Sequence, residues 1–453
     1  MALRRKGRTI FAALIASLGA VLLSGCLSIS AEDLYSLPEV SEEHMRLQWH
    51  INTVLNQGAV FSPPSFGPNR QAVQLRDLNG DGINEVIAFF SIPADSTLKI
   101  YIFQMLGGDY TIAEIIEGVG TSIESVRYVD MNGDGNMELV VGWQMGDALR
   151  HMTIYSIRDF HAVLLAQPVE YESITVYDLN GDGSDDILVV RLPTLESGAE
   201  AEVFMLMPDG EMVSSEVRLS NGIESITRVL TGRLIDGVPA IFVESEGRFD
   251  NGDLVTDICI YREGNLLNIS VKGSSGVSEE TVREAVRMRI LSSDINKDGV
   301  IKVPMPRLLR AQSETAYYAI DWYSFNRLGL SRLALTTYHN NTDEWFLILP
   351  FDWRGKASVR REDVVTGERT VIFSYVSDED SPHEDFLKVH RITGDAREER
   401  ARMPGRVMLI SEGMAIYAFE LLVPPNSFGL TLNETLIIEN FRLIYSDWLA
   451  GTN

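Results

Sequence analysis

From residue 72 onward, apolar residues come in short runs rather than at helical spacing, and the runs fall into groups of four. The first group is 72–76, 85–90, 98–103 and 110–116, and the second is 124–129, 138–144, 151–157 and 161–165. The third is 173–177, 186–191, 201–207 and 211–219. Runs of this length, rich in Val, Ile, Tyr and Phe and bounded by Gly, Asn and Asp, read as β-strands. Four strands recurring at a period near 50 residues make one blade of a β-propeller. Residues 226–243 keep the strand–turn–strand rhythm, and a fifth unit reads to about residue 340. The predicted fold is therefore mainly β, a propeller of four-stranded blades over 65–340. The rhythm then fades. Strand-like runs at 342–355, 368–375, 386–391, 406–410 and 415–422 mix with a helical turn after 393–395 and an amphipathic helix over 433–449. A C-terminal α+β domain over 341–453 is the expectation, with blades six and seven folded into the same stretch as the competing organisation.

What separates the first two strands of each complete group is a nine-residue loop with one pattern. The three copies are Asp77-Leu-Asn79-Gly-Asp81-Gly-Ile83-Asn-Glu85, Asp130-Met-Asn132-Gly-Asp134-Gly-Asn136-Met-Glu138 and Asp178-Leu-Asn180-Gly-Asp182-Gly-Ser184-Asp-Asp186. They start 53 and 48 residues apart. Oxygen-bearing side chains stand at positions 1, 3, 5 and 9, and glycines at 4 and 6 let the backbone turn sharply. Calcium takes six to eight oxygens, which a tight acidic loop supplies. Position 7 (Ile83, Asn136, Ser184) would contribute its backbone carbonyl, so its side chain is free to vary. An EF-hand would need a bidentate Glu at position 12 between two helices. Position 12 here is Ala88, Val141 and Val189, inside strands. A metal-free acidic hairpin is the plain alternative for one such loop, since Asn-Gly and Asp-Gly make turns unaided. Three matching loops at blade spacing favour about three structural calcium sites. A later loop, Asp294-Ile-Asn296-Lys-Asp298-Gly-Val300-Ile-Lys302, keeps positions 1, 3 and 5 but carries lysine at position 9, which puts metal binding there in doubt.

At these residues the chain resembles the FG-GAP/VCBS repeat family, whose calcium loops lie between two strands of a β-propeller blade. The resemblance implies the same fold and cation. It names no activity.

The first 25 residues read as a lipoprotein signal peptide. Arg4, Arg5, Lys6 and Arg8 precede an apolar stretch, 10–23, too short to span a bilayer comfortably. Leu23-Ser24-Gly25-Cys26 looks like a lipobox, with cleavage before Cys26 and lipidation of its thiol. Acyl chains there would hold the protein to a membrane, and residues 26–64, with a helical piece near 42–55, would form the tether. Taken together, these features resemble surface lipoproteins with VCBS-type repeats from Gram-positive bacteria, which implies an extracytoplasmic, lipid-anchored location. Cys259 is then the remaining thiol, in a strand pattern that reads as a small buried hydrophobe.

Charge narrows the partners. Removing residues 1–25 leaves 35 basic against 64 acidic residues, a net charge of −29. Nucleic acid and anionic membrane surfaces are excluded as electrostatically favoured partners. The seven histidines show no metal-ligand spacing, and hydrolase, P-loop and zinc signatures are missing. Glu117-Gly118-Val-Gly120 follows a strand but opens no helix, so it reads as a turn rather than a phosphate cradle. Trp143 and Trp345 sit in apolar strands and read as core, whereas Trp353, in Asp-Trp-Arg-Gly, is the best candidate for an exposed sugar-stacking ring. No residue is assigned a catalytic role. The favoured function is a surface protein that presents a propeller face to a protein or glycan ligand. Alternatives are an enzyme acting on extracellular polysaccharide from the propeller's central mouth, or a structural subunit of an envelope complex.

Overall fold

The computed structural model describes residues 42–444 apart from 148, 159–160, 251, 285–288, 311–314, 364 and 379–380. The signal peptide, Cys26 and the residues after 444 lie outside the described part. Six antiparallel sheets follow one another along the chain. The first holds Val60–Phe61, Val73–Arg76, Glu85–Ile92, Thr97–Leu106 and Asp109–Gly118, the two short strands pairing with the same edge of Glu85–Ile92. The second is Ser122–Val129, Glu138–Gln144, Arg150–Arg158 and His161–Glu170, and the third Ser173–Tyr177, Asp186–Arg191, Glu200–Leu206 and Met212–Arg218. The fourth is Ile223–Arg233, Pro239–Phe249, Gly252–Arg262 and Asn265–Asn268. In each of these four the chain meanders from strand to neighbouring strand, as the grouped apolar runs predict.

The last two sheets depart from the expected layout. The fifth joins Val303–Leu308, Tyr318–Phe325 and Ser331–Asn340 to Trp345–Leu349, which in turn pairs with Phe441–Leu443. The boundary expected at 340 thus falls between two hydrogen-bonded strands. The sixth sheet is Ala357–Glu362, Glu368–Tyr375, Glu384–Thr393, Ala415–Leu421 and, at its outer edge, Arg406–Glu412. The stretch expected to form an α+β domain therefore supplies the outer strands of one sheet and all of the next. The helix expected over 433–449 is shorter. Asn433 caps it by accepting from the Leu436 N–H at 2.9 Å, but it spans Glu434–Asn440 and gives way to a strand. The reason is packing: Phe441 stacks on Trp345 and Tyr417 in the core, which requires extended backbone at the free edge of Trp345–Leu349.

Successive sheets are joined by their cores. Ile87, Phe89 and Ile100 of the first meet Val126, Val141 and Trp143 of the second, and Trp345, Phe373 and Phe386 belong to the core between the fifth and sixth. The Trp143 indole lies flat on Gly118, where a Cβ would come within 2.2 Å of the ring. The face of the first sheet turned away from the second is covered by helix Glu42–Asn56. That helix presents Leu47, Ile51, Val54 and Leu55 at helical spacing. Residues 42–61, expected to be tether, are thus part of the first blade. Helix Arg397–Ala401 does the same for the sixth sheet, setting Ala401 against Ile392, Ile416 and Ala418.

Buried groups bring their own pH dependence. His339 is stacked on Phe346 at 5.0 Å and lies 6.1 Å from Trp322. Burial pulls its pKa from 6.5 down to about 3. Because the folded value lies below the unfolded one, its contribution is complete above pH 6.5 and is lost as pH falls toward 3. Every tenfold loss of proton affinity on folding corresponds to about 1.4 kcal/mol. Urea unfolding at decreasing pH should therefore show a steeper stability loss for the native chain than for His339→Leu. Equal slopes would show that His339 binds its proton equally well in the folded and unfolded states.

Candidate functional site

The three acidic loops fold alike. In the first, Asp77 accepts through Oδ1 from the Gly80 N–H and through Oδ2 from the Gly82 N–H, both at 2.8 Å. Asp81 Oδ1 accepts from the Ile83 N–H at 2.7 Å, and Asn79 Nδ2 donates to Asp81 Oδ2 at 3.0 Å. The second loop repeats this with Asp130 on Gly133 and Gly135, Asp134 on Asn136, and Asn132 on Asp134. The third repeats it with Asp178 on Gly181 and Gly183, Asp182 on Ser184, and Asn180 on Asp182. Glycines at positions 4 and 6 have φ between +70° and +95°, the left-handed region that a side chain would strain. With the carboxylates turned onto their own amides, no group of three acidic, thiol or imidazole side chains is arranged to hold a metal ion among the described residues.

Position 9 is different in kind. Glu85, Glu138 and Asp186 open the second strand of their blades and are 1%, 1% and 2% exposed. Each accepts from the N–H of position 2, namely Leu78, Met131 and Leu179. Burial raises the pKa of all three, the position-2 amide works against it, and the two aspartates of the same loop add to the rise. Asp186 is pushed up to about 7. A buried carboxylate with two more beside it is short of positive charge.

The loops also lie side by side. The Met137 N–H donates to Leu78 O at 2.8 Å, and a Cβ on Gly80 would meet Gly135 O at 2.9 Å. Asp185, at position 8 of the third loop, sits between loops: burial raises its pKa, then Asp178 and Asp130 add to it. The repeat pattern gives position 8 no ligand role, so sequence reading took Asp185 and Asp186 only as part of their loop and gave no sign of this placement between loops.

The fourth loop carries its own cation. Lys302, at position 9, is 2% exposed and turns its ammonium into the loop. Nζ lies 2.6 Å from Asp298 Oδ1, 2.9 Å from Val300 O and 3.7 Å from Asp294 Oδ1. Those are positions 5, 7 and 1, the donors the sequence pattern assigns to a cation in the other three loops. Burial alone would raise the Asp298 pKa, but Lys302 and Asn296 hold it below its ordinary value. A tethered cation thus stands where the other loops have a carboxylate, and Asp294, Asn296 and Asp298 have their positive charge built in. Position 4 is Lys297 rather than glycine, at φ 58°, the left-handed region that a side chain strains. Lys302→Met should cost about 1–2 kcal/mol of stability in denaturant unfolding, since charged hydrogen bonds are lost at a half-exposed rim. An unchanged midpoint would show the contact contributes nothing.

The aromatic candidates resolve plainly. Trp143, Trp322, Trp345 and Trp353 are all buried, which corrects the expectation that Trp353 is exposed. Its indole packs edge-on against Phe386 at 4.8 Å and donates Nε1–H to Thr431 O at 2.9 Å. The short helical turn Phe351–Trp353 rotates it inward, which the polar neighbours in sequence hide. Cys259 is buried, as expected.

A cavity of about 480 Å³ opens where the first strands of the second, third and fourth sheets converge, lined by Arg127, Thr227 and Arg228 among others. Sequence reading missed these residues, because one arginine per strand carries no local signal.

Residues 77–141, which hold the first two loops and the blade between them, match the model of the FG-GAP-like repeat family. No curated protein matches the chain. Among solved structures, a Lactobacillus plantarum protein is similar at 10% identity and a TM-score of 0.29, covering 71% of this chain and 87% of that one. A proposed exo-beta-1,3-galactanase from Bifidobacterium bifidum is similar at 10% identity and a TM-score of 0.21, covering 62% of this chain and 93% of that one. Scores this low carry no argument about activity.

Proposed function

Starting from an FG-GAP-repeat β-propeller protein, we propose a lipid-anchored, extracytoplasmic binding module whose blades are stiffened by calcium and whose face takes a protein or glycan ligand. The observation that carries the calcium part is Lys302, whose ammonium shows the loop geometry accepting a cation at positions 1, 5 and 7. In the three complete loops the donor set is all oxygen, three carboxylates with an amide and a carbonyl, which suits a hard cation. Asp77, Asn79, Asp81, Ile83 O and Glu85 would hold one ion. Asp130, Asn132, Asp134, Asn136 O and Glu138 would hold a second, and Asp178, Asn180, Asp182, Ser184 O and Asp186 a third. A bound ion would neutralise the raised position-9 carboxylates and lock each strand–loop–strand corner.

Anchoring rests on the sequence at Cys26. Helix Glu42–Asn56 is packed on the first blade, so 15 residues, 27–41, separate it from the lipidated cysteine. Fifteen residues reach at most about 50 Å, which keeps the propeller near the membrane.

Three experiments test this reading. Fractionation of cells carrying the full chain should find it with membranes, and Cys26→Ala should release it; an equal distribution of both would sink the anchor. Full chain in millimolar calcium should bind on arrays of glycans or envelope proteins without releasing reducing ends, whereas turnover would turn the reading toward the polysaccharide-acting enzyme. Lys302→Glu, which restores the acid at position 9, should add one further calcium-dependent increment to the melting temperature relative to the native chain.

A further inference from the structure

We propose that the cavity at the centre of the second to fourth blades is a binding site for an acidic sugar, whose carboxylate docks on Arg127. This rests on the binding role above and selects its glycan option; it needs neither the anchor nor the calcium loops.

Ser122–Val129, Ser173–Tyr177 and Ile223–Arg233 are the first strands of three successive sheets. They line the cavity of about 480 Å³ and share Arg127, Thr227 and Arg228 with an adjoining one of about 1060 Å³. The lining carries three arginines against two glutamates, in a chain whose formal net charge is −25.

Most charges in the lining are already matched. Arg150 meets Glu172 at 2.8 Å and Glu124 at 3.7 Å, and the Tyr171 hydroxyl donates to Glu124 at 2.8 Å. Arg228 is paired with the buried Glu244 at 2.8 Å. Arg127 is the exception. Its Nη1 donates to Ser125 Oγ at 3.1 Å and its Nη2 to Ile174 O at 3.4 Å, both neutral acceptors. Among the described residues no carboxylate lies within ion-pair range of it, and burial presses on its charge more than the distant Glu124 relieves it. A guanidinium withdrawn from water with neutral partners alone is costly unless an anion joins it.

The neighbours select the kind of anion. The guanidinium fork matches a planar carboxylate through two parallel hydrogen bonds. Ser65, Ser173 and Thr227 stand on the same wall, hydroxyl-bearing side chains that suit a polyhydroxylated ligand. Phe66 is 64% exposed on the same wall, an apolar ring free to lie against the C–H face of a pyranose. Carboxylate, hydroxyl and apolar face on one small molecule describe a uronate, and the volume suits one or two rings.

The test is calorimetric titration of the full chain, in calcium, with an oligogalacturonate and with a neutral galactose oligomer of equal length. The uronate should bind and the neutral oligomer about tenfold or more weaker, with Arg127→Met losing the uronate by about tenfold at an unchanged melting temperature. Should Arg127→Met fail to fold, Phe66→Ala, which removes an exposed ring, should still weaken uronate binding several-fold. Equal binding of both oligomers, no binding of the uronate, or displacement by acetate as efficient as by uronate would overturn the assignment. A chain that fails here yet binds a neutral glycan or an envelope protein loses only this site; one that binds nothing on any array loses the binding role as well.

Discussion

Replacing Glu244 with leucine should destabilise the chain by about 3–5 kcal/mol, one of the two largest single effects expected in the molecule. Glu244 is fully buried in Pro239–Phe249. It accepts from Arg228 Nη2 at 2.8 Å and Nε at 3.1 Å, from Arg283 Nη2 at 3.1 Å and from the Ser292 N–H. Arg283 is itself 3% exposed, so removing the carboxylate strands a guanidinium in the interior rather than returning it to water. Arg248 with Glu224 is the useful contrast, an ion pair at 3.0 Å whose side chains are 89% and 60% exposed. Breaking that surface pair by Arg248→Ala should move stability by less than about 1 kcal/mol. Denaturant unfolding of both variants settles the matter. A Glu244→Leu midpoint as small in its shift as that of Arg248→Ala would mean that water reaches Arg283. The double variant Glu244→Leu, Arg283→Met should recover part of the loss, because apolar groups replace a buried pair with little penalty.

Chelation is the second large effect. With calcium at about ten times a dissociation constant in the extracellular range of 10⁻⁴–10⁻³ M, each loop gains roughly 1.4 kcal/mol by mass action. Three loops with calcium bound would together supply about 4 kcal/mol, a large share of the 5–15 kcal/mol that usually holds a protein folded. Thermal unfolding with millimolar calcium should therefore lie several degrees above unfolding with a chelator. Asp81→Ala, Asp134→Ala and Asp182→Ala should each remove part of that difference. Asp298→Ala should lower the melting temperature while leaving the calcium increment intact, since Lys302 already serves that loop. Superimposable melts with and without calcium would leave the three loops as acidic turns.

The strands of the first three blades were legible almost residue by residue. Runs read at 72–76, 85–90 and 138–144 correspond to Val73–Arg76, Glu85–Ile92 and Glu138–Gln144, because each is half or wholly buried and bounded by glycine-rich turns. The grouping of the fifth and sixth sheets was not legible, although four strands of the sixth were read, at 368–375, 386–391, 406–410 and 415–422. Val303–Leu308 carries prolines at 304 and 306, which disguise an inner edge strand, and Phe441–Leu443 finds its partner Trp345–Leu349 nearly a hundred residues earlier. Neither fact has a local signature.

By itself the sequence determined the acidic loops, since all their donors lie within nine contiguous residues and each glycine answers a turn inside the same span. It likewise determined the strands that follow them. Tertiary structure alone decided what those loops and strands surround. Lys302 reaches its loop because Asp294 and Asp298 fold back over it, and Trp353 turns inward because Phe386 and Thr431 close around it. Arg127 has only neutral hydrogen-bond partners because Glu124 and Glu172 both turn to Arg150. Charges and rings in such places are matched across separate blades, and their pairing is set by which surfaces pack together, not by their neighbours along the chain.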